Sequence, residues 1–349
     1  MSHSVKRMQK RFALILLSFL MMFAASCSSK AKQAQEMIAT ANQYLLDGNY
    51  EEAIASFNQA IEIDPKQPGA YHGLYSVYTA MSDYVNARTS VERGIEATGA
   101  DVANSEISYR DDTDGLEGVD LLIHDYQVIT KIMTNPSRVV TKEGDRTYQA
   151  DYEYEFDDHG RITLLRVITE DGTQETRYTY NLAGVIKTMD REGIENYELS
   201  KSGDGYKATY VAYSEDGETR SNVEIKYDAN GRQVSRNVTG KDPVTGEETT
   251  VTSRYSYDSD GNLTESTTSN SAVTASGKTT YEKGYPTKVD HGTMVMTADG
   301  QQFDTEEYSN EFDEYDRIRQ IKITCHNSET SDSFLWQTTD YYYYDTIGE

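Results

Sequence analysis

The sequence predicts a chain that is α-helical first and all-β afterwards: a short array of helical hairpins, then a long antiparallel β-meander of repeated hairpins. Three observations lead there. Composition changes near residue 100, with Ala, Glu, Gln and Leu prominent before it and Tyr, Thr, Asp and Gly after it. Of the 28 tyrosines, only Tyr44, Tyr50, Tyr71, Tyr75, Tyr78 and Tyr84 precede that point. Ala34–Gln67 forms a helical unit whose pattern restarts at Pro68. From about residue 126 the hydrophobic period shifts to two, and the same Asp-Gly corner recurs between alternating runs.

The first element is an address. Lys6, Arg7, Lys10 and Arg11 precede an apolar run from Phe12 to Ala25, broken only by Ser18. That run is too short to favour a spanning helix, and its positive flank suits an export signal over residues 1–26. It ends Ala24-Ala25-Ser26-Cys27, which resembles a bacterial lipoprotein lipobox, with Ala24 where leucine is usual. The resemblance implies acyl chains on Cys27, a tether over 27–33, and a place on the cell membrane or outer membrane facing away from the cytoplasm. The alternative is an ordinary signal peptide, with Cys27 incidental. Loss of residues 1–26 takes the side-chain charge from −25 to −29, because the four cations go and no acid does. A surface this acidic repels nucleic acid, whose phosphates need Lys and Arg. A lipid-bearing Cys27 leaves Cys325 without a disulfide partner. Cys325 is in phase with Ile321 and Ile323, as a buried strand residue would be.

The helical domain is expected over 34–99. Ala41, Tyr44, Gly48, Tyr50, Ala53, Phe57, Ala60 and Pro65 recur as Tyr71, Leu74, Tyr78, Tyr84, Ala87 and Gly94 in the second unit. Small residues let paired helices approach, and aromatic rings fill between them. The pattern resembles two tetratricopeptide repeats. Its turns differ: Ser82 stands where the first unit has Gly48, and Gly99 where it has Pro65. The resemblance implies a peptide groove lined by the first helix of each pair, hence by Ile38, Asn42, Leu45, His72, Ser76 and Thr79, with an unidentified protein or peptide as partner. The alternative is that these helices only pack as a spacer.

Residues 100–120 read as an acidic linker and 121–349 as the β domain. Leu121–Met133 stays open between two readings. Val119, Leu122, Tyr126, Ile129 and Met133 have helical spacing and would cap the last repeat. The β-branched content before Asn135-Pro136 suits a first strand, the reading taken here. Beyond it, Tyr148, Ala150, Tyr152, Tyr154 and Phe156 share one strand face, and Gln149, Asp151, Glu153 and Glu155 the other. The corner Asp157-Asp-His-Gly160 follows. It recurs at Asn181–Gly184, Asp228–Gly231 and Asp258–Gly261, and without the glycine at Asp313–Asp316. These copies resemble YD repeats of the Rhs family, which implies an open, twisted, up-and-down sheet.

Within each copy the Asp accepts backbone N–H bonds and the Gly supplies positive φ. Asp157, Gly160, Asp228, Gly231, Asp258 and Gly261 are therefore expected as structural turn residues. Asp258, Asp260 and Asn262 alternate like calcium ligands. An EF-type loop, however, would begin at Ser256 and end at Thr267, where acidic oxygens are wanted. The second acid is absent from the other copies, which also argues against a carboxylate dyad. His72, His124, His159, His291 and His326 show no ligand spacing, and no HExxH, phosphate loop or CxxC occurs. No catalytic residue, metal site or cofactor is expected. The functional expectation is a lipid-anchored, non-enzymatic adaptor of the cell envelope. The alternative is a glycan-binding lipoprotein, with a polysaccharide stacked on Tyr341, Tyr342, Tyr343, Tyr344, Tyr255 and Tyr257.

Overall fold

The computed structural model describes residues 29–109, 113–214, 217, 219–241, 246–259, 261–271, 276–297 and 300–344. Cys27 and Asp260 lie outside them, so the lipidation and calcium readings at those positions have no structural counterpart. The chain divides into two compact units, residues 1–135 with 158–160, and residues 136–157 with 161–349. No described helix is long and apolar enough to cross a membrane.

The first unit is helical. Residues 29–46 form α1, followed by α2 (Tyr50–Ile63), α3 (Pro68–Ala80), α4 (Tyr84–Thr98) and α5 (Val119–Met133). Ala53, Phe57, Ala60, Leu74, Val77, Ala87 and Val91 recur at helical spacing, and all are buried. Two glycines set the approach distances. A Cβ at Gly73 would lie 2.1 Å from the Phe57 ring, and one at Gly94 would lie 2.8 Å from Tyr71 and 2.9 Å from Leu122. The turns at Gly48 and Ser82 both take positive φ, 73° and 58°. Asp83 caps α4 by accepting the Asn86 N–H, and Gly99 ends that helix in the left-handed region.

Two boundaries differ from those expected. Residues 29–33, assigned to the tether over 27–33, are helical. Residues 121–133, placed with the β domain as a first strand, lie in α5. The β-branched content misled there. Leu122, Val128, Ile129, Ile132 and Met133 are buried on a helix packed against α3 and α4, and tertiary burial overrides a weak local propensity. Gly118 precedes α5 and Asn135-Pro136 closes it.

The second unit is one sheet of sixteen antiparallel strands. They are β1 (Arg138–Glu143), β2 (Arg146–Phe156), β3 (Ile162–Thr169), β4 (Gly172–Tyr180), β5 (Ile186–Arg191), β6 (Ile194–Ser202), β7 (Gly205–Tyr213) and β8 (Arg220–Tyr227). The rest are β9 (Gln233–Lys241), β10 (Glu248–Tyr257), β11 (Leu263–Asn270), β12 (Ser276–Glu282), β13 (Tyr285–Met296), β14 (Gln302–Phe312), β15 (Ile318–His326) and β16 (Ser333–Tyr342).

An open meander would leave β1 and β16 as its two edges. Instead they pair in register, from Arg138↔Tyr342 to Glu143↔Gln337. The hydrogen-bonded order runs from β5 through β1 and β16 to β6. Its two ends are consecutive strands, joined by Glu192 and Gly193 and close in space. The sheet is therefore a near-complete barrel, which corrects the expected open repeated-hairpin meander and the Rhs-like assignment with it. The pairing satisfies backbone groups that β1 and β16 would expose in a meander, and leaves β5 and β6 as the ends of the hydrogen-bonded order. A period-two pattern records which residues share a face and is silent about which strand ends meet. The expectation of a lipid-anchored lipoprotein is withdrawn as well. It rested on the lipobox resemblance ending at Cys27, which lies outside the described residues, and a membrane-anchor description conflicts with the closed sheet seen here.

Candidate functional site

The helical unit arranges its helices in two rows. α3 packs on α2 and α4, and α5 packs on α4 and α3. Ile38 of α1 lies against Gly69 of α3. So α1, α3 and α5 follow one another in one row, with α2 and α4 behind. α5 takes the place that the first helix of a third pair would occupy.

The six groove residues fall on α1 and α3 at equal spacing, Ile38/Asn42/Leu45 and His72/Ser76/Thr79. Ile38 and Leu45 are half-buried against the core, and Asn42 is exposed. Ser76 donates its hydroxyl to the His72 carbonyl at 3.0 Å, which ties it to its own helix. Thr79 is half-buried one turn further on. His72 is engaged: its Nδ1 lies 2.6 Å from Oδ2 of Asp125, on α5.

Asp125 was not foreseen as part of this row. It is 3% exposed, and burial pushes its carboxyl above the usual range against the opposing pull of His72 and His124. Burial works against protonating His72, but the hydrogen bond to Asp125 and its charge outweigh that, so the imidazole is raised. The pair holds its proton more tightly than the separate groups would. Burial also raises the Tyr75 phenol on the same helix, with the Asp125 charge adding to it. The only sequence signal for Asp125 was a lone acid at a helix-period core position.

The sheet unit carries its own titratable cluster. Glu306 is buried, with one oxygen 2.7 Å from His291 Nε2 and the other accepting from the Tyr308 hydroxyl. Cys325 pairs with Glu306 across β14 and β15. Burial first, and then the Glu306 charge, push its thiol up to about 12, so at neutral pH it is a protonated, poorly nucleophilic thiol.

The repeated corner joins a carboxylate, a guanidinium, a phenol and a backbone carbonyl, of which the sequence identified the carboxylate. Asp157, Asp228 and Asp313 each accept the backbone N–H of the residue four on, at 2.9 Å. That residue is an arginine, Arg161, Arg232 or Arg317, whose Nε returns to the same carboxylate at 2.6, 2.7 and 2.6 Å. Each guanidinium lies over a later tyrosine: Arg161 over Tyr180 at 5.0 Å, Arg232 over Tyr257 at 5.2 Å, Arg317 over Tyr343 at 4.2 Å. Each tyrosine hydroxyl then donates to the carbonyl after the arginine, on Ile162, Gln233 or Ile318. Gly160, Gly231 and Gly261 take positive φ, and Asp316 does so at 58° in the copy that lacks glycine. Asp258 keeps the backbone bond, to Asn262 at 2.8 Å, with no arginine.

These bonds place the proposed stacking tyrosines. Tyr343 is 2% exposed, while Tyr255, Tyr257, Tyr341 and Tyr344 are half-buried. Tyr342 is the most open, at 37%.

Comparison with known proteins adds one positive finding. Residues 41–81 match the TPR repeat family. No curated protein sequence matches the chain. Among solved structures, a porin-like protein from Bacteroides uniformis aligns at 11% identity over 60% of this chain and 97% of that one, with a TM-score of 0.26. The TcdB2-TccC3-TEV structure aligns at 17% identity over 56% of this chain and 10% of that one, TM-score 0.21. TcdB2-TccC3 without its hypervariable C-terminal region aligns at 12% identity over 57% and 15%, TM-score 0.20. Superpositions this loose carry no argument. The TPR match supports a general protein-interaction role for the helical unit.

Proposed function

We propose that this protein is a non-enzymatic interaction module that works outside the cytoplasm and binds a peptide segment of a partner protein in the row formed by α1, α3 and α5. The observation that carries the reading is that row itself, supported by the TPR match over 41–81. Asn42 offers an exposed carboxamide to a peptide backbone, between the half-buried apolar side chains of Ile38 and Leu45. The export signal read in residues 1–26 supports the location.

The test is site-specific photo-crosslinking in the full chain. A photoreactive residue at Asn42 is expected to trap a discrete partner from an envelope extract. The same residue at the exposed Leu182, on a turn of the sheet unit, should not. Equal trapping at both positions, or none at Asn42, would remove the groove from consideration.

A further inference from the structure

The sheet holds a second concave surface, of about 390 Å³, that no Asp-Gly corner explains. It lies on the polar face of β6–β9, and register places its residues in two rows. Glu198, Thr209, Glu224 and Asn237 are directly opposite one another in the first row. Val211, Asn222 and Thr239 form the second. The other face of these strands is the apolar cluster of Ala208, Val223 and Ile225. A bulge in β6 walls the concavity: the register shifts between Glu195 and Glu198, and Asn196 takes a φ of 56°. Tyr197 pins the bulge from the apolar side, stacked on Tyr210 with ring centroids 5.8 Å apart and its hydroxyl on the Ile186 carbonyl.

The polar groups here differ from their counterparts elsewhere. Asn181, Asn262, Asn310 and Asn327 spend their side chains on turn and strand backbone or on a turn carboxylate. Among the described residues, Asn196, Asn222 and Asn237 make no such bond, nor do Glu198 and Thr209, although all five converge on one concavity. Glu224 is balanced by Lys207 at 3.7 Å and Lys226 at 3.6 Å, so the surface does not concentrate negative charge as a cation site would. A net charge of −25 disfavours anions. β7 and β8 are paired on both edges, so an added peptide strand has no backbone to join. What remains is a ligand rich in groups that both donate and accept. Carboxamides supply two donors and an acceptor each, and a carboxylate accepts only. Hydroxyls satisfy both.

We infer that this face binds a neutral oligosaccharide, held by Asn196, Asn222, Asn237 and Glu198 over the Val211 floor. The site is separate from the helical row and stands or falls independently of it.

The experiment is calorimetric titration of the full chain with maltohexaose, cellohexaose, mannohexaose and xylohexaose. At least one is expected to bind. The N222A/N237A double variant should weaken that binding at least tenfold, because it removes two hydrogen-bonding carboxamides. Tyr342→Ala should leave it unchanged. If the double variant loses its native circular dichroism, near-isosteric N222D replaces it, with weakening again expected. The inference is overturned if none of the four sugars binds at millimolar concentration. It is equally overturned if binding survives N222A/N237A or N222D, or if calcium alone titrates the same residues.

Discussion

The two units solve the packing problem in opposite ways. The helical unit has a dense core: Ala34, Ala41, Ala53, Phe57, Ala60, Ala70 and Val77 are fully buried, and Gly73 and Gly94 sit where a methyl group would collide. Among the described residues the sheet unit has thin apolar clusters, one of five buried residues around Phe303 and Ile321, another of three around Val223. It relies instead on corners in which carboxylate, guanidinium, phenol ring and backbone carbonyl bind one another in a fixed order. Helices separated by side chains are specified by volume. A sheet with few aliphatic residues is specified by directional bonds at its turns.

That contrast can be broken at either end. The largest expected effect is in the helices. Gly73→Ala drives a Cβ into the buried Phe57 ring, and overpacking of this kind costs about 3 kcal/mol, read as a lower denaturant midpoint. Next is His72→Ala, which leaves Asp125 buried without its cation. Breaking a buried pair costs about 3–5 kcal/mol, and the lower end applies because His72 is one-third exposed.

The same pair sets a pH dependence. His72 is raised in the folded state, so its contribution is fully present below the unfolded value of about 6.5 and lost as pH rises through the folded value. Asp125 is raised too and works in the same direction at lower pH. Urea unfolding should therefore show stability falling above about pH 6.5, and His72→Gln should remove that fall. A stability that rises over this range would contradict the assignment.

In the sheet the corners should rank by burial. Arg317 is 3% exposed and stacks on the Tyr343 ring, so Arg317→Ala should cost about 2 kcal/mol. Arg161→Ala and Arg232→Ala, on more open guanidiniums, should cost about half that. Equal losses at all three would show that burial does not rank the corners. The smallest effect is a gain. Ser82 holds a φ of 58° where the equivalent turn has Gly48, so Ser82→Gly should raise stability by about 0.5 kcal/mol.

The sequence exposed the helical pairs through spacing, because each small residue that permits close approach is itself visible. It also showed the Asp and Gly of each corner, because both are local. Arg161, Arg232 and Arg317 were in view at fixed offsets, but the tyrosines they cover lie nineteen to twenty-six residues on, and local turn chemistry does not reach that far. Closure was illegible for the same reason: nothing in Val139 or Tyr341 announces that they face each other. Asp125 looked like a lone acid in an ambiguous segment, and only the placement of α5 beside α3 gave it a partner.

Amide hydrogen exchange on β1 and β16 tests closure most directly. Because these strands pair with each other, the amides of Val139–Lys142 and Thr338–Tyr341 whose N–H groups point across the β1–β16 ladder should be protected as well as those of the interior strands β8 and β15. Rapid exchange across that ladder, as at the free edges of an open meander, would contradict the barrel.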